Sequence, residues 1–176
     1  MNNFTFQNPT KIIFGKDTLR ELTKEIPKGE KILLTYGQGS LKKNGTLQKI
    51  QNELKNHQII QYGGIEPNPH FDTLMNAVDL IKQHNITYLL AAGGGSVIDG
   101  TKFIALIGAL AKTEHHNPTE LRTIAKQHLT NYTLGELTKA LPLATILTIP
   151  ATGSEMNKGG VISLQDGKYH FANNLS

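Results

Sequence analysis

The sequence contains no cysteine among its 176 residues. This absence excludes disulfide crosslinks, thiol catalysis and thiolate metal sites. No apolar run approaches the roughly 18 residues of a membrane span, and the opening MNNFTFQNPTK lacks the basic and apolar regions of a signal peptide. We therefore expect a cytoplasmic protein that does not bind a membrane.

The sequence also lacks any concentration of charge. Lys and Arg total 18 and Asp and Glu total 14, and the resulting formal charge of +4 is spread along the chain. Nucleic-acid-binding domains gather positive charge into one tail or face, so this distribution argues against a nucleic-acid partner. No repeat or linker divides the chain, and its length favours a single domain over residues 1–176.

Short apolar segments alternate with amphipathic ones along most of the chain. The helices are expected around Leu47 to Leu54, after Asn68 as N-cap with Pro69 at the first helical position, and from Ser96 to Leu110. The strands are expected at residues 31–36, 59–62, 87–92 and 143–149. This alternation predicts an α/β fold, with a parallel sheet covered by helices on both faces.

Peripheral elements are expected at both ends. Residues 4–7 and 11–14 are rich in β-favouring residue types and should form a pair of strands. A helix should follow from Asp17, its N-cap, to Ile26. Residues 111–140 are polar and should hold one or two surface helices, and residues 159–173 read as a β-hairpin turning at Asp166 and Gly167. The helix from Ser96 is apolar on nearly every side, so we expect a partner domain to cover it together with the sheet.

A glycine-rich turn follows the strand at residues 87–92. Gly93, Gly94 and Gly95 lead directly into the helix that begins at Ser96. Unpaired amides at a helix start, without a Cβ to hold a ligand away, form a phosphate-binding site. The turn is neither a P-loop nor a GxGxxG fingerprint, because position 98 is Ile98. Alone, it could also be only a tight connection.

A second loop, GQGSLKK, follows the first central strand. Gly37, Gly39 and Ser40 with Lys42 and Lys43 could hold a phosphate monoester. An acidic residue here would instead accept the 2'-hydroxyl of NAD, and residues 31–49 contain no acidic residue, so the loop favours NADP. The alternative is a surface turn with two solvated lysines.

A third loop, TIPATGSE, follows the strand at residues 143–149. Thr148, Thr152 and Ser154 offer hydroxyl groups toward the same crevice. Alone, the loop could be a polar turn in which Pro150 ends the strand. Three such loops at one end of a sheet suit a dinucleotide that lies across the strand ends.

Taken in order, YGQGSLKKNG, GGIEPNP, AAGGGSVIDGTK and PATGSE resemble the amino-terminal domain of the iron-containing (group III) alcohol dehydrogenases, especially the NADPH-dependent aldehyde reductase and butanol dehydrogenase branch. The resemblance implies a Rossmann-like domain that is followed by a helical, metal-binding domain. It also implies hydride transfer between NADP(H) and a small aldehyde or alcohol, with iron or zinc polarising the carbonyl.

By motif position, the resemblance places Gly94, Gly95 and Ser96 at the diphosphate, and Gly37, Gly39 and Ser40 near the adenosine ribose and its 2'-phosphate. Asp99 would lie near the nicotinamide ribose, with Thr148 and Thr152 lining the cleft. Asp99 could equally be a first-turn helix acid. Lys102 could face phosphate or only pair with a neighbour.

The chain departs from the family in length and in metal ligands. Family enzymes are about twice as long, and their ligands, one Asp and three His, lie in the helical domain that we expect to be absent here. The seven histidines of this chain show no ligand spacing, so no metal site is predicted. Dinucleotide binding is therefore the activity expected of this chain.

Three alternatives remain open. The chain could be a non-catalytic nucleotide-binding or interaction module, which forms a homo-oligomer because the helix from Ser96 is left uncovered. It could be one half of a split enzyme that binds a separate C-terminal half. It could also resemble the dehydroquinate synthase group, which has the same fold and lyase chemistry, although PATGSE and the lysine pair disfavour this.

Overall fold

The central element of the computed structural model, which describes residues 8–173, is a four-stranded parallel sheet. Its strands have the order β2-β1-β3-β4. Leu33 of β1 pairs with Ile60 of β2 on one side and with Leu89 of β3 on the other. The bounds are β1 (Lys31–Gly37), β2 (Gln58–Ile65), β3 (Tyr88–Gly93) and β4 (Leu143–Leu147). The predicted α/β class and parallel sheet are confirmed.

Helices cover both faces of this sheet, as predicted. Successive β1 side chains point to opposite faces, so Leu33 joins the core beneath α4 (Phe71–His84) and α5 (Gly95–Thr113). Ile32 and Leu34 join the core beneath α3 (Thr46–Glu53) on the other face. The longer helices are α3 (Thr46–Glu53), α4 (Phe71–His84), α5 (Gly95–Thr113) and α6 (Pro118–Thr130). The short ones are α1 (Leu22–Glu25), α2 (Ser40–Lys43) and 3-10 turns at Thr18–Glu21, Leu134–Glu136 and Ser154–Met156.

Helix α5 is buried by its own chain. It packs on β3, on α4 and on the hairpin of β5 (Gly159–Leu164) and β6 (Gly167–Ala172). The Phe103 ring lies edge-on to Phe71 and Phe171, with ring centroids 5.8 and 6.3 Å apart. The sequence analysis expected a partner domain to cover this helix together with the sheet, whereas within residues 8–173 the hairpin covers it.

The N-terminal expectations are partly wrong. Residues 11–14 form no strand, and Phe14 is 97% exposed; their expected partner, residues 4–7, lies outside the described residues. Asp17 does not cap a helix with its side chain, because its backbone is left-handed, and a 3-10 turn precedes α1. The apolar residues of 11–14 favour an extended backbone, but a strand also needs a hydrogen-bonding partner.

The loops after β2 and β4 also differ from expectation. Helix α4 starts at Phe71 with His70 as its cap, and Asn68 instead adopts a left-handed conformation with φ of 56°. Strand β4 ends at Leu147, two residues earlier than predicted. The predicted hairpin is present, with its turn at residues 165–166. No helix within residues 8–173 is long and apolar enough to cross a membrane.

Candidate anion-binding site at the carboxyl edge of the sheet

The candidate site lies at the edge where all four parallel strands end. The Thr148 N–H donates to the Gly93 carbonyl at 3.0 Å, which joins the loops after β4 and β3. A Cβ added at Gly37 would lie 3.8 Å from Val97 Cγ2, so the loop after β1 reaches the first turn of α5. The three predicted loops therefore share one edge of the sheet.

The start of α5 forms the centre of this edge. Gly94 is the N-cap residue, and its carbonyl accepts from Val97 N–H at 3.1 Å and Ile98 N–H at 3.2 Å. In the described part of the chain, no side-chain hydrogen bond caps this end. The 19 residues of α5 direct the positive end of the helix dipole to the same point, which therefore favours an anion.

Gly95 fits closely against the loop after β4. A Cβ built on Gly95 would lie 2.4 Å from Thr152 Oγ1 and 3.1 Å from Ser154 Oγ, which is too close without a shift of the loop. The two hydroxyl oxygens are themselves 2.8 Å apart. The start of α5 and residues 152–154, called the TGS loop below, thus form one surface, and glycine is the residue type that allows their close approach.

Ser96 is held by the loop after β2. Its Oγ accepts from the Asn68 N–H at 3.3 Å, and Asn68 Oδ1 accepts from Lys168 Nζ at 2.9 Å. Because Ser96 Oγ acts as acceptor in that bond, its own O–H remains able to donate to an anion. Sequence reasoning missed Asn68 and Lys168 here, because only the tertiary fold brings the hairpin to this loop.

The loop after β1 offers exposed polar groups. Ser40, Lys42 and Lys43 are all exposed, and Gly39 caps the short α2 with φ of 154°, in a region that glycine tolerates best. The Lys42 ammonium lies 5.7 Å from the centroid of the Tyr36 ring. Two exposed positive charges are therefore available to a phosphate at the end of β1.

Asp99 and Lys102 face the hairpin. Asp99 Oδ2 accepts from Val161 N–H at 3.2 Å, and Asp99 lies beyond the first turn of α5, so the first-turn interpretation is wrong. Of the two interpretations of Lys102, the structure supports pairing with neighbouring groups, namely the Asp99 carboxylate and the Gly159 carbonyl. Burial lowers the pKa of the Lys102 ammonium below its ordinary value, and the Asp99 and Glu155 charges partly oppose this shift.

We searched residues 8–173 for side chains that could together bind a metal ion. No group of three or more His, Cys, Asp or Glu side chains within residues 8–173 is arranged to hold a metal ion. His116 Nε2 instead lies 2.6 Å from Glu114 Oε2 at the start of α6. Residues 8–173 therefore provide no ligand set that fits an iron or zinc ion.

A sequence profile of the iron-containing alcohol dehydrogenases matches residues 9–175 of the chain. The chain is 47% identical over 164 residues to the NADPH-dependent aldehyde reductase YqhD of Escherichia coli (strain K12), covering 93% of the chain and 40% of that relative. It is 40% identical over 166 residues to the probable NADH-dependent butanol dehydrogenase 1 of Bacillus subtilis (strain 168), with the same coverage.

A crystal structure of E. coli K-12 YqhD has a similar fold. It superimposes with a TM-score of 0.85 at 43% identity, over 98% of this chain and 42% of that one. The chain thus spans about 40% of the length of the curated relatives described above.

Proposed function

This chain belongs to the iron-containing alcohol dehydrogenase family, and from that premise we propose that it binds the dinucleotide NADP(H) across the carboxyl edge of its sheet. The observation that carries the proposal is the start of α5, which no side chain of residues 8–173 caps and where Gly95 approaches Thr152 too closely for a Cβ to fit. The chain's own contribution is to bind and orient this cofactor.

The diphosphate binds at Gly94, Gly95 and Ser96 in this proposal. The amides of the first turn donate to its oxygens, and the Ser96 hydroxyl adds a further donor. Each charge interaction at a helix end contributes about 0.3–1 kcal/mol, so several must act together. The contact of Thr152 and Ser154 with Gly95 supports a preformed site, since the donors are already gathered.

The 2'-phosphate binds at Gly37, Gly39 and Ser40, beside Lys42 and Lys43. Residues 31–49 hold no carboxylate that would accept a 2'-hydroxyl and repel a phosphate. The names of the relatives divide on this point, because the E. coli reductase is NADPH-dependent and the B. subtilis relative is named as NADH-dependent. The preference for NADP(H) over NAD(H) that we propose for this chain follows from the positive charges of Lys42 and Lys43.

Asp99, Thr148 and Thr152 line the nicotinamide part of the cleft in this proposal. The cofactor, when bound, supplies hydride transfer to the carbonyl of a small aldehyde, or takes hydride from an alcohol. The whole protein to which this sequence corresponds is proposed to be an NADP(H)-dependent aldehyde reductase. The metal that gives the family its name has no ligand set within residues 8–173.

The proposal is tested by titrating NADPH into the wild-type chain and into Gly95→Val. The substituted side chain meets Thr152 and Ser154, so we expect affinity to fall by about 100-fold, or about 2.7 kcal/mol. Gly167→Val is the matched control, since a Cβ there meets no atom of the described residues within 4 Å and Gly167 lies in β6. Equal NADPH affinity in all three proteins, or no binding by the wild type, would contradict the proposal.

A further inference from the structure

Lys102 connects α5 to the segment that follows the TGS loop. Its side chain is 14% exposed, and its ammonium donates to the Gly159 carbonyl at 2.5 Å. It also donates to Asn157 Oδ1 at 2.9 Å and to the Asn157 carbonyl at 3.2 Å. All three N–H donors of the ammonium therefore have acceptors on one short segment.

Asp99 holds the next part of that segment. It lies one helical turn before Lys102, and its Oδ2 accepts from the Val161 N–H at 3.2 Å. Asp99 Oδ1 is buried 3.6 Å from Lys102 Nζ and accepts no hydrogen bond from any group of residues 8–173. Loss of the ammonium would leave this carboxylate buried without its counter-charge, which is unfavourable.

The held segment continues directly from the residues that contact Gly95. Met156 N–H donates to the Gly153 carbonyl at 2.9 Å and closes the turn at Ser154–Met156. Ser154 begins this turn, and Thr152 lies two residues before it. The position of their hydroxyls over Gly95 therefore depends on where the segment from Asn157 to Val161 is fixed.

We propose that Lys102 is a positioning residue of the dinucleotide site, which fixes residues 157–159 so that Thr152 and Ser154 stay in place against Gly95. This inference rests on the proposed function, since the site that Lys102 shapes is the one assigned to NADP(H). Lys102 acts through the loop and does not itself contact the cofactor.

Lys102→Met tests this inference, with Lys112→Met as the matched control. Lys112 lies on the same helix and also donates from its ammonium to a backbone carbonyl, that of Ile86 at 2.8 Å, but at the far end from the site. We expect Lys102→Met to speed amide hydrogen exchange in residues 153–161 and to weaken NADPH binding, each by about tenfold. Lys112→Met should change neither quantity by more than about twofold.

Asn157→Ala provides a milder variant if Lys102→Met does not fold. It removes the Oδ1 that accepts from Lys102 Nζ and from the Gly159 N–H, and it keeps the ammonium with its two backbone acceptors, so both effects should appear in reduced form. Lys102→Met with wild-type exchange, or with faster exchange and unchanged NADPH affinity, would overturn the inference while wild-type binding still supported the function. Absence of NADPH binding by the wild type would refute the function, and with it the assignment of Lys102 to that site.

Discussion

Lys42 and Lys43 carry the positive charge of the loop that follows β1. Both side chains are exposed, so water and salt screen their attraction for a phosphate, and each contributes modestly. NADH and NADPH differ only in the 2'-phosphate. A change confined to these two charges should therefore separate the two cofactors without affecting the rest of the site.

Replacing both Lys42 and Lys43 with Gln should weaken NADPH binding by about three- to tenfold, because two exposed charge interactions are lost. NADH affinity should remain within about twofold of wild type. Titrations of both cofactors at low and high salt measure the effect, and the wild-type preference should shrink as salt rises. Lys126→Gln on α6 is the control, and a parallel loss of NADH affinity would count against the assignment.

At the scale of elements, α6 shows how a local signal sets a boundary. Asn117 Oδ1 accepts from Glu120 N–H at 2.9 Å, and Glu120 Oε2 accepts from Asn117 N–H at 3.1 Å, which together form a capping box. Pro118 follows at the first helical position. The buried side chains Leu121, Ala125 and Leu129 then lie on one face. This cap fixes which residues α6 presents to the core.

Asn117→Ala should reduce the free energy of unfolding by about 1 kcal/mol, since the Glu120 amide loses its side-chain acceptor. Urea denaturation measures this change, and Asn117→Asp should remain close to wild type because aspartate also caps helices. Asn56→Ala, at an exposed turn position, is the control. If Asn56→Ala lowers the free energy of unfolding as much as Asn117→Ala does, the cap contributes no stability of its own.

At the scale of the whole molecule, two partly buried tyrosines make stability depend on pH. Burial raises the pKa of Tyr62 above its ordinary 10.0, and the Glu66 charge adds to this. Burial likewise raises the pKa of Tyr88, with smaller contributions from Glu30 and Glu25. The folded chain therefore holds these protons more tightly than the unfolded chain does.

The free energy of unfolding should consequently fall as the pH rises from 10.0 through the raised values, whereas below 10.0 these groups leave it unchanged. Lys102, with its lowered pKa, acts in the opposite sense up to its ordinary 10.5. Urea denaturation from pH 8 to 11, compared with the Tyr62→Phe, Tyr88→Phe double variant, measures the tyrosine contribution. An identical alkaline slope in the double variant would refute it.

Local patterns in the sequence were sufficient for the four central strands, for the main helices that cover them and for the glycine turn after β3. The continuous apolar runs of β1 and β3 predict strands buried on both faces, and the spacing of Leu74, Val78 and Ile81 predicts the buried side of α4. These signals lie within a few residues of each other. Residues 11–14 were wrongly predicted as a strand, because a local apolar pattern favours an extended backbone but does not itself form the hydrogen bonds of a sheet.

The sequence by itself determined the order of strands and helices, and with it the edge at which three polar loops meet. It also determined which groups those loops can offer, from the amides near Gly95 to the ammonium of Lys42. Only the tertiary structure decided that Thr152 touches Gly95, that Asn68 holds Ser96, and that the hairpin covers α5. The reason is physical: turns and caps form between near neighbours, whereas these contacts join residues 28 or more positions apart, and only the packed core brings them together.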